Sequence, residues 1–199
     1  MSGSGPTPDP APAFALLAAG SARRFGGSKL VADLLGKPLW RWAADAADSA
    51  GFKARWLILS RETAADIGPV AADWEVAINP HAGSGLATSI ALAAHVAAPH
   101  PRLVIALADM PCVTPSLLGQ LARARGTAFT RYASGRPGVP AAFDASDFAR
   151  LMRLNGDRGA AAIDWESATT MIDPPSTDAL LDVDTPADLD RAAAILARR

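Results

Sequence analysis

The segment Ala13–Ala19 is apolar throughout and runs directly into a glycine-rich, cationic loop, Gly20-Ser21-Ala22-Arg23-Arg24-Phe25-Gly26-Gly27-Ser28-Lys29. A short apolar run closed by glycines has the form of a strand buried on both faces. Such strands belong to parallel sheets covered by helices on either side. Three glycines allow backbone amides to approach an anion, and two arginines and a lysine in the same ten residues neutralise it. The loop has the chemistry of a phosphate cradle, with a solvated basic loop as the alternative. It matches neither the P-loop spacing nor the dinucleotide fingerprint.

Beyond the loop, strand and helix signals alternate. The pattern predicts a helix over Pro38–Ala50, with proline at its start and Gly51 just past its end. Strands are predicted at Arg55–Ser60, Trp74–Ile78 and Leu103–Ala108, with a short helix over Glu62–Gly68 between the first two. Gly85–Ala98 reads as an alanine-rich helix, and Thr114-Pro115 opens another that closes before Gly126, with Thr114 as N-cap. Strand-like pieces occur at Thr127–Tyr132 and Val139–Phe143, then a helix over Ser146–Leu154. Thr169–Ile172 and Leu181–Val183 read as extended, and Pro186–Ala197 as a closing helix. This alternation predicts an α/β domain with a mostly parallel sheet covered on both faces. It spans residues 13–199, behind a Pro- and Gly-rich leader at residues 1–12 that is expected to be disordered.

Composition narrows the function. The chain is 50% hydrophobic and 20% charged, with a net charge of −1. It lacks the basic footprint of a nucleic-acid binder, and its five tryptophans form no stacking platform. No apolar run reaches the length of a membrane span. The single cysteine, Cys112, allows no internal disulfide and fits a reducing compartment, so a cytoplasmic location is expected. His81, His95 and His100 lack metal-ligand spacing.

In open parallel sheets, ligands gather beyond the carboxyl ends of the strands. That rule brings together residues far apart in the chain. The loop follows the first strand, and Asp109, in Leu107-Ala108-Asp109-Met110-Pro111, follows the fourth. Arg24 and Lys29 are candidates to hold phosphates and offset charge as it builds in a transfer reaction. Asp109 could carry a divalent cation that bridges to those phosphates, or it could simply complete a turn. Asp182 and Asp184 stand two apart and so share one side of an extended segment; Asp184 or Thr185 is also a natural cap for the helix at Pro186. Asn79, Gly85, Thr88 and Ser89 could contact a base or ribose, or serve as turn and capping residues. Gly156-Asp157-Arg158-Gly159 is a polar turn that could clamp a substrate.

Taken in order, these motifs resemble the MobA-like nucleotidyltransferase family, and within it the molybdenum cofactor cytidylyltransferases. Leu17-Ala18-Ala19-Gly20, continuing through Arg24-Phe25-Gly26 to Lys29, matches the family's nucleotide-binding signature, and Leu30–Leu39 matches the family's next segment. Asn79-Pro80 with Gly85-Leu86 and Ser89 is similar to the base-side segment, and Leu107–Pro111 to the metal-binding segment. Gly138-Val139-Pro140, Gly156–Ala160 and Asp182–Pro186 complete the set. The resemblance implies a Rossmann-like three-layer domain of the nucleotide-diphospho-sugar transferase type. It implies transfer of CMP from CTP to the phosphate of molybdenum-bound molybdopterin, with release of pyrophosphate.

The same resemblance assigns roles. Mg²⁺ would sit on Asp109 and Asp184, with Asp182 in reserve. Arg24 and Lys29 would take the triphosphate, Arg24, Lys29 and Asp109 being the catalytic set. Leu17, Ala18, Ala19, Gly20, Gly26, Asn79, Gly85 and Ser89 would surround the nucleotide, and Val139, Gly156 and Asp157 would face the acceptor. The implied partners are CTP or another NTP, a molybdopterin-type phosphate acceptor, and a molybdoenzyme or its maturation factor; nucleic acid and membrane are not among them. Related readings are a transferase using GTP or another acceptor, and a nucleotide-binding maturation factor without catalysis. Ala19 stands where the guanylyltransferase branch usually has glycine, and its methyl leans the pocket toward a pyrimidine. Ala22, Val139 and Ala161 depart from the Ser or Gly, His and Arg common at those positions.

Overall fold

The computed structural model describes residues 11–20, 25, 28–156, 159–165 and 169–199. The expected leader lies mostly outside these residues. In chain order the strands are β1 (Ala13–Ala18), β2 (Asp33–Leu34), β3 (Lys37–Pro38), β4 (Ala54–Leu59), β5 (Glu75–Ile78), β6 (Arg102–Leu107), β7 (Ala128–Arg131), β8 (Pro137–Asp144) and β9 (Thr170–Ile172). The helices are α1 (Leu39–Ser49), α2 (Arg61–Ile67), α3 (Leu86–Val96), α4 (Pro115–Arg123), α5 (Phe148–Leu151) and α6 (Pro186–Leu196).

Seven strands form one sheet in the order β5-β4-β1-β6-β8-β7-β9. β5, β4, β1 and β6 are parallel neighbours; β8 runs against both β6 and β7, and β9 is parallel to β7. The sheet is therefore mostly parallel, with one reversed strand. β1 lies inside it, between β4 and β6, and all six of its residues are buried. Phe14, Leu16 and Ala18 pack with α1 and α4 on one face. Ala13, Ala15 and Leu17 pack with α3 and α5 on the other. A strand covered on both sides has no solvent face, which is why its sequence shows no polar alternation. These are the three layers of the nucleotide-diphospho-sugar transferase fold. A smaller apolar cluster joins α6 to the β2–β3 hairpin through Leu34, Leu39, Cys112, Val183, Ala192 and Leu196.

Two local differences from the sequence reading, at Pro38 and at Ser146–Leu154, have physical causes, and one segment that is extended as expected joins no sheet among the described residues. Pro38 lies in β3 and caps α1 instead of opening its first turn, because Leu35 and Gly36, with φ of 54° and 84°, fold the chain back into a tight hairpin. Leu181–Val183 leaves a 3-10 turn at Thr177–Leu180 with Leu181 extended, as expected, and pairs with no strand among the described residues; the Val183 amide donates instead to the Asp109 carbonyl at 2.9 Å. The helix expected over Ser146–Leu154 is a 3-10 turn followed by the single turn of α5. Among the described residues, no helix is long and apolar enough to cross a membrane.

Candidate active site

The carboxyl ends of β1, β4 and β6 open into a groove of about 680 Å³. Its floor is the end of β1, Leu17 to Gly20. Lys29 and Leu30 line one side, from a 3-10 turn that leaves the glycine-rich loop. Gly85, Leu86 and Ser89 line another, at the start of α3. Gly85 has φ of 107° there, a conformation that side chains rarely adopt, and it swings the chain from the preceding turn into the helix. Asp109 closes the β6 end, and Ser60 and Glu62 stand beyond β4.

Lys29 is the hub of the polar site. Its Nζ donates to Asp109 Oδ2 at 2.7 Å and to Asp184 Oδ1 at 2.9 Å. Burial alone would lower the ammonium's pKa; the two carboxylates outweigh that and hold it above the ordinary lysine value. The segment carrying Asp184 is fastened to Asp109 by the Val183–Asp109 backbone hydrogen bond. Thr185, not Asp184, caps α6, through a capping box with Asp188. The Asp184 carboxylate is thereby left available to reach Lys29. Asp182 lies beside this pair. Burial, and then the charges of Asp109 and Asp184, push it up to about 7.

The donor set bears on a divalent cation. Asp109 Oδ1 and Asp182 Oδ1 are buried and have no hydrogen-bond partner among the described residues. Among the described residues, no group of three or more His, Cys, Asp or Glu could by itself enclose a metal. One or two carboxylates, with the remaining ligands supplied by phosphate and water, is the usual way Mg²⁺ is held. Asp109 and Asp184 fit that arrangement.

The other expected residues divide. Leu17, Ala18, Ala19, Gly20, Gly85 and Ser89 all line the groove. Asn79 does not. It is buried, its side-chain amide donates to Thr88 at 2.8 Å and Ser89 at 2.9 Å, and its carbonyl accepts from the His81 amide at 2.9 Å. It braces the wall rather than touching the space within. Val139 is half-buried, and its carbonyl accepts the Tyr132 hydroxyl at 2.8 Å. Gly156 accepts from the Ala87 amide at 3.2 Å, which seats its turn on the first turn of α3. Arg24, Gly26 and Asp157 lie outside the described residues. The sequence reading missed Ser60 and Glu62, yet Ser60 directly follows β4. The strand-end rule that singled out Asp109 would have found it.

Residues 14–169 match the MobA-like NTP transferase domain. The chain belongs to that family and is a nucleotidyltransferase of the MobA-like type. Solved structures agree over nearly the full length. Rv0371c from Mycobacterium tuberculosis H37Rv is 26% identical, with a TM-score of 0.75 over 93% of this chain and 98% of that one. Its complex with manganese gives 24% identity and a TM-score of 0.74, over 92% and 98%. Molybdopterin-guanine dinucleotide biosynthesis protein A from Archaeoglobus fulgidus is 22% identical, with a TM-score of 0.73 over 94% and 99%. Comparison with curated protein sequences gives no match.

Proposed function

We propose that this nucleotidyltransferase moves CMP from CTP to the terminal phosphate of molybdenum-bound molybdopterin. An acceptor phosphate oxygen attacks the α-phosphorus, a new P–O–P linkage forms, the bond to the β-phosphate breaks, and pyrophosphate leaves. The observation that carries the reading is the Lys29 ammonium held between Asp109 and Asp184 at the rim of the groove. A manganese complex of the mycobacterial relative supports a divalent cation, and the A. fulgidus molybdopterin-guanine dinucleotide biosynthesis protein supports a molybdopterin-linked acceptor. Ala19, which lines the groove, supports a pyrimidine base.

The mechanism needs little from a general base, because the acceptor phosphate is already an anion. Catalysis is then alignment and charge neutralisation. Lys29 binds and orients the triphosphate, and Arg24 is assigned the same role from its place in the sequence motif. Asp109 and Asp184 would hold the cation, Mg²⁺ in this reading, which when bound supplies positive charge to the phosphate oxygens. Leu17 to Gly20, Gly85 and Ser89 seat the nucleoside. Val139, Gly156 and Asp157 are the proposed acceptor side, and the reaction belongs in the cytoplasm.

Purified protein incubated with Mg²⁺, molybdopterin cofactor and each of the four NTPs in turn tests this reading. Pyrophosphate release is expected with CTP. Release with GTP alone would replace the cytidylyl reading with a guanylyl one, and no release with any NTP would overturn the transfer.

A further inference from the structure

Deepening the CTP reading, and resting on it, is the question of which side chain reads the base. Most polar groups at the β4 end of the groove are already committed. Ser60 caps α2, accepting from the Thr63 amide at 3.0 Å. Ser89 accepts from Asn79, and Asn79 is itself enclosed. Glu62 differs. It lines the groove, it is exposed, and it makes no hydrogen bond or ion pair with the described residues.

Its place in the fold suits one end of a nucleotide. Strand order sets β1 between β4 and β6. Glu62 beyond β4 and Asp109 beyond β6 are therefore separated by two strand spacings, about 10 Å. A nucleotide with its phosphates at Lys29 and Asp109 brings its base toward β4. The charged side chain that lines the groove on that side, Glu62, is an acid.

We infer that Glu62 reads the amino edge of the base. An ionised carboxylate only accepts hydrogen bonds. Cytosine presents its N4 amino group as a donor, whereas uracil presents O4 at the same position, acceptor facing acceptor. Set against the C4 substituent, and not against N3 where uracil carries an N–H that a carboxylate accepts, Glu62 separates CTP from UTP, two nucleotides of equal size that the Ala19 methyl cannot tell apart. A purine is a different matter. Adenine offers an N6 amino group, and guanine could offer N1–H and its N2 amino group, so ring size is left to Ala19 and the carbonyl-bearing pyrimidine to Glu62.

Calorimetric titration of CTP, UTP and GTP, each with Mg²⁺ and no acceptor, into wild type, Glu62→Ala and Glu62→Gln tests the inference. Wild type is expected to prefer CTP to UTP. Glu62→Ala should reduce that ratio about tenfold, and Glu62→Gln should shift it further toward UTP, since an amide can donate to O4. Thermal unfolding should stay close to wild type, because the Ser60–Thr63 capping box does not involve Glu62. An unchanged CTP-to-UTP ratio in both variants would overturn the inference. A wild type that prefers GTP, with that preference lost in Glu62→Ala, would leave Glu62 as the base reader and overturn the cytidine reading alone.

Discussion

Lys29 Nζ stands 2.7 Å from Asp109 Oδ2, joining a loop residue to a strand end 80 positions away in the chain. Asp184, at 2.9 Å, is the third member. The Lys29 and Asp109 side chains are only 10% and 21% exposed, so Lys29→Met leaves two carboxylates close together with no cation between them. Breaking a fully buried pair costs about 3–5 kcal/mol. The Asp184 side chain is 58% exposed, and solvent screening brings the expected loss to about 1–3 kcal/mol. Mg²⁺ or Mn²⁺ should restore part of the stability in the variant and change wild type less. Thermal unfolding with and without metal checks this; a loss indifferent to metal would count against the carboxylates as its ligands.

Asp109→Asn keeps the shape of the side chain and removes its charge. On the proposed chemistry, kcat should fall by about 10²–10³-fold, as expected when one electrostatic contact to the reacting phosphates is lost. KM for the nucleotide should move much less, since the residues proposed to seat the nucleoside, Leu17 to Gly20, Gly85 and Ser89, are untouched. Asp184→Asn should behave similarly, whereas Asp182→Asn should have a smaller effect, because Lys29 reaches Asp184 and not Asp182. Steady-state kinetics on the three variants separates these outcomes.

Much of this site was legible because it obeys rules of local pattern. The apolar runs of β1 and β6 mark central strands, and Lys29 and Asp109 follow from where those strands end. The Leu35-Gly36 turn was not legible, since a hairpin turn of this kind normally shows Asn or Asp before Gly and a leucine there conceals it. Asn79 was legible as important but not in its role. A polar residue after a strand has the same signature whether it faces a ligand or braces a loop, and only the three hydrogen bonds decide. Tyr132 gave no signal at all, because its partner is a backbone carbonyl and its neighbour a glycine.

Asn79→Ala should act on the wall of the groove rather than on its contents. The substitution removes the amide's donations to Thr88 and Ser89 and the acceptor of the His81 amide, while the Thr88 hydroxyl keeps its hydrogen bonds to the His81 and Gly85 carbonyls. The expected destabilisation is about 1–3 kcal/mol. Nucleotide affinity should weaken for CTP and UTP alike, leaving their ratio unchanged, in contrast to Glu62→Ala. Chemical denaturation combined with nucleotide titration distinguishes bracing from base contact.

Cys112 is fully buried, and burial pushes its thiol above the ordinary value of 9.0. Alkylation requires an accessible thiolate, so the native protein should resist iodoacetamide and react only in denaturant. The sign of the pH effect comes from the raised value. Below 9.0 the thiol is neutral in both states and favours neither; above it the unfolded chain ionises first, and stability is lost as pH rises toward the folded value. Cys112→Ala should therefore flatten the alkaline decline in stability relative to wild type, as measured by denaturant unfolding at about pH 8 and pH 10.

Tyr132 and Gly138 form a matched pair at the start of β8. The phenol lies against Gly138, where an added Cβ would meet the ring edge and come within 2.8 Å of Cδ2. The hydroxyl donates to the Val139 carbonyl one residue on, at 2.8 Å. Burial, and then the charges of Asp182 and Asp109, hold the phenol above its ordinary pKa, so at neutral pH it remains a donor to that carbonyl. Gly138→Ala should destabilise by about 1–3 kcal/mol, the usual cost of overpacking. Tyr132→Ala alone should also destabilise, through the lost hydrogen bond and packing. The double variant has no ring for the new methyl to strike, so its loss should fall well short of the sum of the two single losses. Strict additivity in denaturant melts would mean that the strand tolerates alanine by moving, and that Tyr132 does not set the position of Val139.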